Sequence, residues 1–261
     1  MQNKIKSEGK CLFCGKIYSK SGINRHLAAH LKEKAAKGVP GKSFLVKVEP
    51  DKSLVPYPYF LCMWIDGETC MNTIDGFLRD IWLECCGHES EFEDLTKTAD
   101  NNISNFLNQL IVEERFEELL EIIISIKMKK KVSMSDEAKD VFQKGRILDY
   151  HYDFEDTTTL VITVMEEYPV KADSEIVLLS RNEPLDIMCC DCEKIPATLI
   201  CTSETHLGKT LFCPQCAEKH SKTCKDFDDH AARAVFNSPR SGKCQYVGGM
   251  IDKERDGVYK M

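Results

Sequence analysis

Residues 189–224 contain Cys189 and Cys192, then Cys213 and Cys216: two C-x2-C pairs with twenty residues between them. No other feature constrains the fold as strongly. A C-x2-C pair puts two thiolates on one tight turn, aimed at one point, and two such turns complete a tetrahedron around zinc. Cys201, His206, His220 and Cys224 supply donors for a second centre; Glu204 or water competes with His206 for its fourth position, and Cys190 competes with Cys189 in register. The spacing predicts a metal-organised module over residues 188–228.

The setting decides whether these sulphurs become metal ligands or disulfides. The chain holds 14 cysteines in 261 residues. Residues 1–10 are polar and basic, without the apolar core of a secretory leader. The longest apolar stretch, residues 119–126, is broken by Glu121 and Ser125 and is too short to span a bilayer. The expectation is a cytoplasmic protein with no membrane partner, whose cysteines serve as metal thiolates in a reducing compartment. At 43% hydrophobic and 30% charged, the chain has the composition of a globular protein with a sizeable core.

Near the N-terminus, Cys11, Cys14, His26 and His30 follow the pattern C-x2-C-x11-H-x3-H. Tyr18 lies four residues after the second cysteine and Ile23 three before the first histidine. His26 and His30 are one helical turn apart, so both imidazoles share a helix face. These twenty residues resemble the C2H2 zinc finger, with an interval one residue shorter than usual. The resemblance places base-contacting positions at Ser19, Ser21, Gly22 and Arg25, of which only Arg25 has the bidentate fork that reads guanine.

Charge supports a polyanion partner. Residues 1–42 carry ten Lys/Arg against two acids, +8, while the remainder carries 25 Lys/Arg against 40 acids, −15. The expected partner is DNA or RNA, bound weakly and through its backbone by Lys10, Lys16, Lys20, Arg25, Lys32 and Lys34. The acidic body is expected to repel nucleic acid and to meet a protein partner.

Residues 36–42 read as a linker. The predicted fold class is α+β, a small mixed body over residues 43–187 flanked by zinc-binding modules, with a C-terminal tail at 229–261 that is turn-rich over 237–249 and charged and mobile in its last dozen residues. Strands are expected at 43–48, 59–65 and 176–179, and a hairpin joins residues 147–154 to 158–165. In residues 73–86, Ile74, Phe77, Leu78, Ile81, Trp82 and Cys85 fall on one helical stripe, with Gly87 as the stop. Cys85 then reads as a small buried hydrophobe, a reading preferred over a metal role with Cys86 and His88. Residues 102–126 also read as helical, with an acidic run that suits a solvated face, and 135–145 as a short helix.

The helix ending in Cys85-Cys86-Gly87-His88, and the later Tyr150-His151-Tyr152-Asp153-Phe154, resemble the body of the transposon-passenger and plasmid open-reading-frame-3-like family. Here Glu155 replaces that family's usual glycine, and its usual tryptophan is missing. The resemblance implies a small α+β fold carried on mobile elements or plasmids, with no established reaction. The ending of the C-terminal module, His220 to Cys224, is similar to cross-braced modules of the MYND and B-box type, and a zinc ribbon is the alternative.

The sequence therefore predicts a non-enzymatic protein holding two or three Zn2+ ions. A pure protein–protein adaptor is the alternative, and a zinc-dependent hydrolase or nuclease ranks third. No Ser-His-Asp constellation, Walker loop, H-E-x-x-H or dinucleotide fingerprint is present.

Overall fold

Apolar side chains at every second position generate a two-sided antiparallel sheet. The computed structural model describes residues 5–95, 131–203 and 210–256. Its strands are β1 (Glu8–Lys10), β2 (Ile17–Ser19), β3 (Pro40–Pro50), β4 (Leu61–Asp66), β5 (Ser90–Asp94), β6 (Lys131–Val132), β7 (Ile147–Tyr152), β8 (Thr158–Val170), β9 (Ile176–Arg181), β10 (Leu199–Cys201), β11 (Leu211–Phe212) and β12 (Ala232–Ala234). Its α-helices are α1 (Ile23–Ala35), α2 (Met71–Leu78), α3 (Ala138–Val141) and α4 (Pro214–Ser221). Seven strands form the main sheet in the order β6-β5-β7-β8-β3-β4-β9, and the fold is α+β as expected. The readings over 102–126 lie outside the described residues. Among those described, no helix is long and apolar enough to cross a membrane.

The two faces of the sheet are covered differently. Phe44, Val46, Val48, Met63, Ile65, Tyr150, Ile162 and Val164 point to a core closed by Ile74, Leu78, Ile81 and Trp82 of the α2 segment and by Val141 and Phe142. Leu45, Phe60, Cys62, Trp64 and Leu179 point the other way, and there they meet Ile23, Leu27 and Leu31 of α1. Trp64 lies under this helix, its indole Nε1 donating to Ser43 Oγ at 2.8 Å.

The N-terminal module is thus docked on the body, not strung from it. The expected linker is partly strand, because β3 begins at Pro40 and pairs there with Val170. Lys20 Nζ lies 2.6 Å from Glu49, which also meets Lys47 at 2.9 Å. The segment before Cys11 runs along the free edge of β9: Gly9 bridges Asn182, Leu12 N–H donates to Leu179 O at 2.9 Å, and Glu183 N–H donates to Glu8 O at 2.7 Å. A Cβ on Gly9 would lie 2.6 Å from both the Phe60 ring and Ser180 Oγ, so only glycine permits this approach.

The helix predicted over 73–86 is shorter and changes pitch. It ends as α2 at Leu78, a single π turn follows over Arg79–Leu83, and Glu84 is already extended. The chain turns here around the Arg79 guanidinium, which bonds Asp75 at 2.8 Å, Glu84 at 3.1 Å, His88 O at 2.7 Å and Ser90 Oγ at 2.7 Å. The 147–154 hairpin forms as predicted, with Tyr150 and Tyr152 buried. Phe154 leaves that face and is exposed, because Asp153 turns the chain with a left-handed φ of 66°.

The tail is turn-rich over 237–249 as expected, and it is also pinned to the body. Residues 235–240 are all buried. Arg181 and Arg240 are both fully buried, and each binds carboxylate and carbonyl oxygens. Arg181 reaches Asp256 at 2.8 Å and Asn237 O at 2.6 Å. Arg240 binds Asp153 and donates to Asp156 O at 2.6 Å. Ser238 Oγ donates to Trp82 O at 2.7 Å. Removing one partner from such a buried pair costs about 3–5 kcal/mol, so this segment is part of the folded body.

Candidate metal centres

Among the described residues, four groups of cysteine and histidine have all their donor atoms within 4.8 Å of one another. A tetrahedral ion at ordinary Zn–S and Zn–N lengths requires donor–donor edges of about 3.8 Å between sulphurs, about 3.3 Å between nitrogens and about 3.5 Å for mixed pairs. Each group can be compared with those edges.

In the first, Cys11 and Cys14 lie on a turn between β1 and β2. Gly15, at φ 73°, closes it by donating to Cys11 O at 2.8 Å. The short interval is absorbed at the helix start: Gly22 caps α1, and its N–H reaches Ser19 Oγ at 3.3 Å. His26 Nε2 lies 3.2 Å from Cys14 Sγ and 3.1 Å from His30 Nε2. Tyr18 stacks on His26 with ring centroids 4.0 Å apart, filling the expected aromatic position.

The second group is Cys189, Cys192, Cys213 and Cys216, with Cys192 and Cys213 sulphurs 3.8 Å apart. Pro214, inside the second C-x2-C, is the first residue of α4, where its fixed φ suits a helix start. Cys213 therefore caps the helix and Cys216 sits in its first turn, so both face the same point. Burial would push the Cys189 thiol up. Backbone N–H groups of Cys192, Cys213 and Asp191 donate to its sulphur and bring it down to about 7 instead. Cys189, and not Cys190, is the residue whose sulphur lies in this group; the Cys190 N–H donates to Leu211 O at 2.8 Å.

The third group joins Cys201, His220 and Cys224, with the two sulphurs 3.9 Å apart. His220 is stacked on Phe212 at 4.3 Å and edge-on to Phe227 at 5.1 Å. His206, predicted as the fourth ligand, lies outside the described residues, as does Glu204. The ligands of the second and third groups alternate along the chain, which is the cross-braced order read from the sequence.

The fourth group was not assembled from the sequence. Cys85, Cys86 and His88 meet Cys244, with Cys86 and Cys244 sulphurs 3.5 Å apart and His88 Nε2 3.4 Å from Cys244 Sγ. Cys85, read as a core residue, is only half-buried, because the helix that would have carried it inward ends at Leu83. The available signal was a Cys-Cys-x-His run after a helix together with an unassigned cysteine in the tail.

The basic residues divide into two sets. Lys20 is bound to Glu49, and Lys34 lies 2.5 Å from Asp173. Lys10, Lys16, Arg25 and Lys32 are exposed and make no ion pair among the described residues. Ser19 and Ser21 are exposed beside Arg25, so most of the expected readout face of α1 points away from the sheet.

No family model matches this chain, and no curated protein matches it. Among solved structures it is similar to a crystal structure described as a protein of unknown function, MM3350 from Methanosarcina mazei Go1. The two are 14% identical over 53% of this chain and 67% of that one, with a TM-score of 0.35. A similarity at that level carries no argument about either protein.

Proposed function

We propose that this chain is a non-enzymatic zinc protein that binds nucleic acid weakly through the exposed side of its N-terminal finger and a protein partner through its acidic body. One observation carries the zinc assignment: the Cys14–His26 and His26–His30 edges of the finger and the Cys192–Cys213 edge of the four-cysteine group lie within a few tenths of an ångström of a zinc tetrahedron's edges, with all donors of each group within 4.8 Å of one another. Thiolate-rich sites with imidazole select zinc over the harder divalent ions. Both sets are complete with four protein ligands, the arrangement of structural and not catalytic centres. When bound, zinc would cross-link each module; the chain's own residues supply the surfaces.

The nucleic-acid reading rests on Lys10, Lys16, Arg25 and Lys32 on an exposed face of a basic module. The full chain, titrated with mixed-sequence single- and double-stranded DNA and RNA at low ionic strength, tests it. Binding weakened by Arg25→Ala and by Lys32→Ala is expected, and no salt-sensitive binding would refute it. The docking of α1 on the sheet favours a second reading, a protein–protein adaptor in which the finger is a fixed part of the body. Nuclease-resistant capture of a partner, unchanged by Arg25→Ala, supports that reading. The proposed mobile-element association rests on the helix ending in Cys85-Cys86-Gly87-His88 and on the Tyr150 to Phe154 motif.

A further inference from the structure

We infer that Cys85, Cys86, His88 and Cys244 form a separate, closed zinc site that fastens the C-terminal segment to the body. It shares no ligand with the finger or with the cross-braced module. Three thiolates and one imidazole are a complete tetrahedral set for a structural zinc ion, and all four donors lie within 4.8 Å of one another. Two of the edges, 3.5 Å between the Cys86 and Cys244 sulphurs and 3.4 Å between His88 Nε2 and Cys244 Sγ, lie within a few tenths of an ångström of the tetrahedral values of about 3.8 and 3.5 Å. A disulfide would engage only two of these groups and needs sulphurs about 2.05 Å apart; it gives no reason for an imidazole and a third thiol to converge on the same point.

The surroundings suit a bound ion. Arg240 Nη2 lies 3.6 Å from Cys85 Sγ, and the Tyr152 hydroxyl lies 3.8 Å from the same sulphur. The guanidinium is a donor directed at a thiolate, the kind of outer contact that orients a metal ligand; the Tyr152 hydroxyl gives its proton to Glu84 at 3.2 Å. Three thiolates around a divalent cation leave one net negative charge, and the fully buried Arg240 guanidinium faces it. Asp153 binds Arg240 and lies 3.6 Å from His88 Nε2. Cys244 itself is held at a left-handed φ of 46°, which costs a non-glycine residue energy and persists where the surroundings fix it. Lys243 holds the same turn, bonding Asp156 at 2.8 Å and Thr157 O at 2.7 Å.

The reactivity of Cys86 provides a test that does not depend on a variant folding. Its side chain is exposed, so burial cannot protect it from alkylation. In full-length protein prepared with zinc under reductant, iodoacetamide should label Cys86 at least tenfold more slowly than after chelation. Cys244→Ser should lose one zinc equivalent relative to wild type, and Cys190→Ser none. Equal labelling of Cys86 with and without zinc would overturn the site. So would a Cys86–Cys244 disulfide persisting under reductant, or an unchanged zinc count in Cys244→Ser. Loss of nucleic-acid binding alone would bear only on the finger.

Discussion

Leu27→Ala tests whether the finger is a structural part of the body. His26 and His30 point at the metal position, and Leu27 and Leu31, one residue later, are turned toward the sheet. Leu27 is fully buried, in a cluster with Leu45, Phe60, Trp64 and Leu179. Truncating a buried leucine costs about 2–5 kcal/mol through lost transfer energy and the cavity left behind. Against a total stability of about 5–15 kcal/mol for a domain, that is a large fraction. At a urea slope of about 2–3 kcal/mol per molar, the midpoint should fall by roughly 1–2 M. The chain has two tryptophans, and they report separately: Trp64 lies under α1, whereas Trp82 lies in the opposite core. In a Trp82→Phe background, Trp64 emission and far-UV circular dichroism should move together in Leu27→Ala. An early loss of Trp64 burial with the circular dichroism midpoint unchanged would refute docking and restore an independent finger.

Other measurements follow from the same contacts. With Lys20 and Lys34 bound to body carboxylates, four cations remain, and at about 0.9 per neutralised phosphate the plot of log affinity against log salt should have a slope no steeper than about −3.6; a slope near −5 would mean that all six engage. Lys32→Ala should flatten it by about 0.9, and Lys20→Ala should leave it unchanged. Burial alone would raise the Glu49 carboxyl, but Lys20 and Lys47 hold it below its usual 4.5. At Lys20 burial outweighs Glu49, and the ammonium lies below its usual range, so only the carboxylate side gains on folding. A depressed carboxylate stabilises above its unfolded value and loses that contribution as pH falls through the folded one. The stability difference between wild type and Glu49→Gln should therefore stay constant from pH 8 to 5.5 and narrow below 4.5; metal loss in acid affects both chains and cancels. Cys213→Ser should lose one zinc equivalent and should also disturb the neighbouring Cys201 group, because α4 carries ligands of both; a wild-type zinc count would remove the four-cysteine site.

The legible sites were those whose ligands lie close together in sequence. Two donors on one turn, or two imidazoles one helical turn apart, advertise their convergence through spacing alone. Cys244 lies 156 residues from His88, and no local pattern links them. The strands over 43–48, 147–154 and 158–165 were legible from their apolar and β-branched content, but not what covers their faces. The stripe of Ile23, Leu27 and Leu31 beside the histidines was a usable sign that the finger helix has a second apolar face to bury. The tail's turns were legible but its attachment was not, because glycine, serine and proline mark turns equally well in loose chain and in a segment pinned by buried arginines. The π turn escaped because Ile81 and Trp82 stay buried through it, so apolar spacing did not reveal the change in pitch.

The run of chain beside β9 has a further consequence. β9 is the last strand of the main sheet, and Gly9, Leu12 and Glu8 occupy hydrogen-bonding groups it would otherwise present. An uncovered strand of this kind is a template for pairing between molecules. A chain stripped of its first thirty-five residues would then be at risk of self-association through Ile176–Arg181. The N-terminal module would thus guard solubility whether or not it ever touches a nucleic acid.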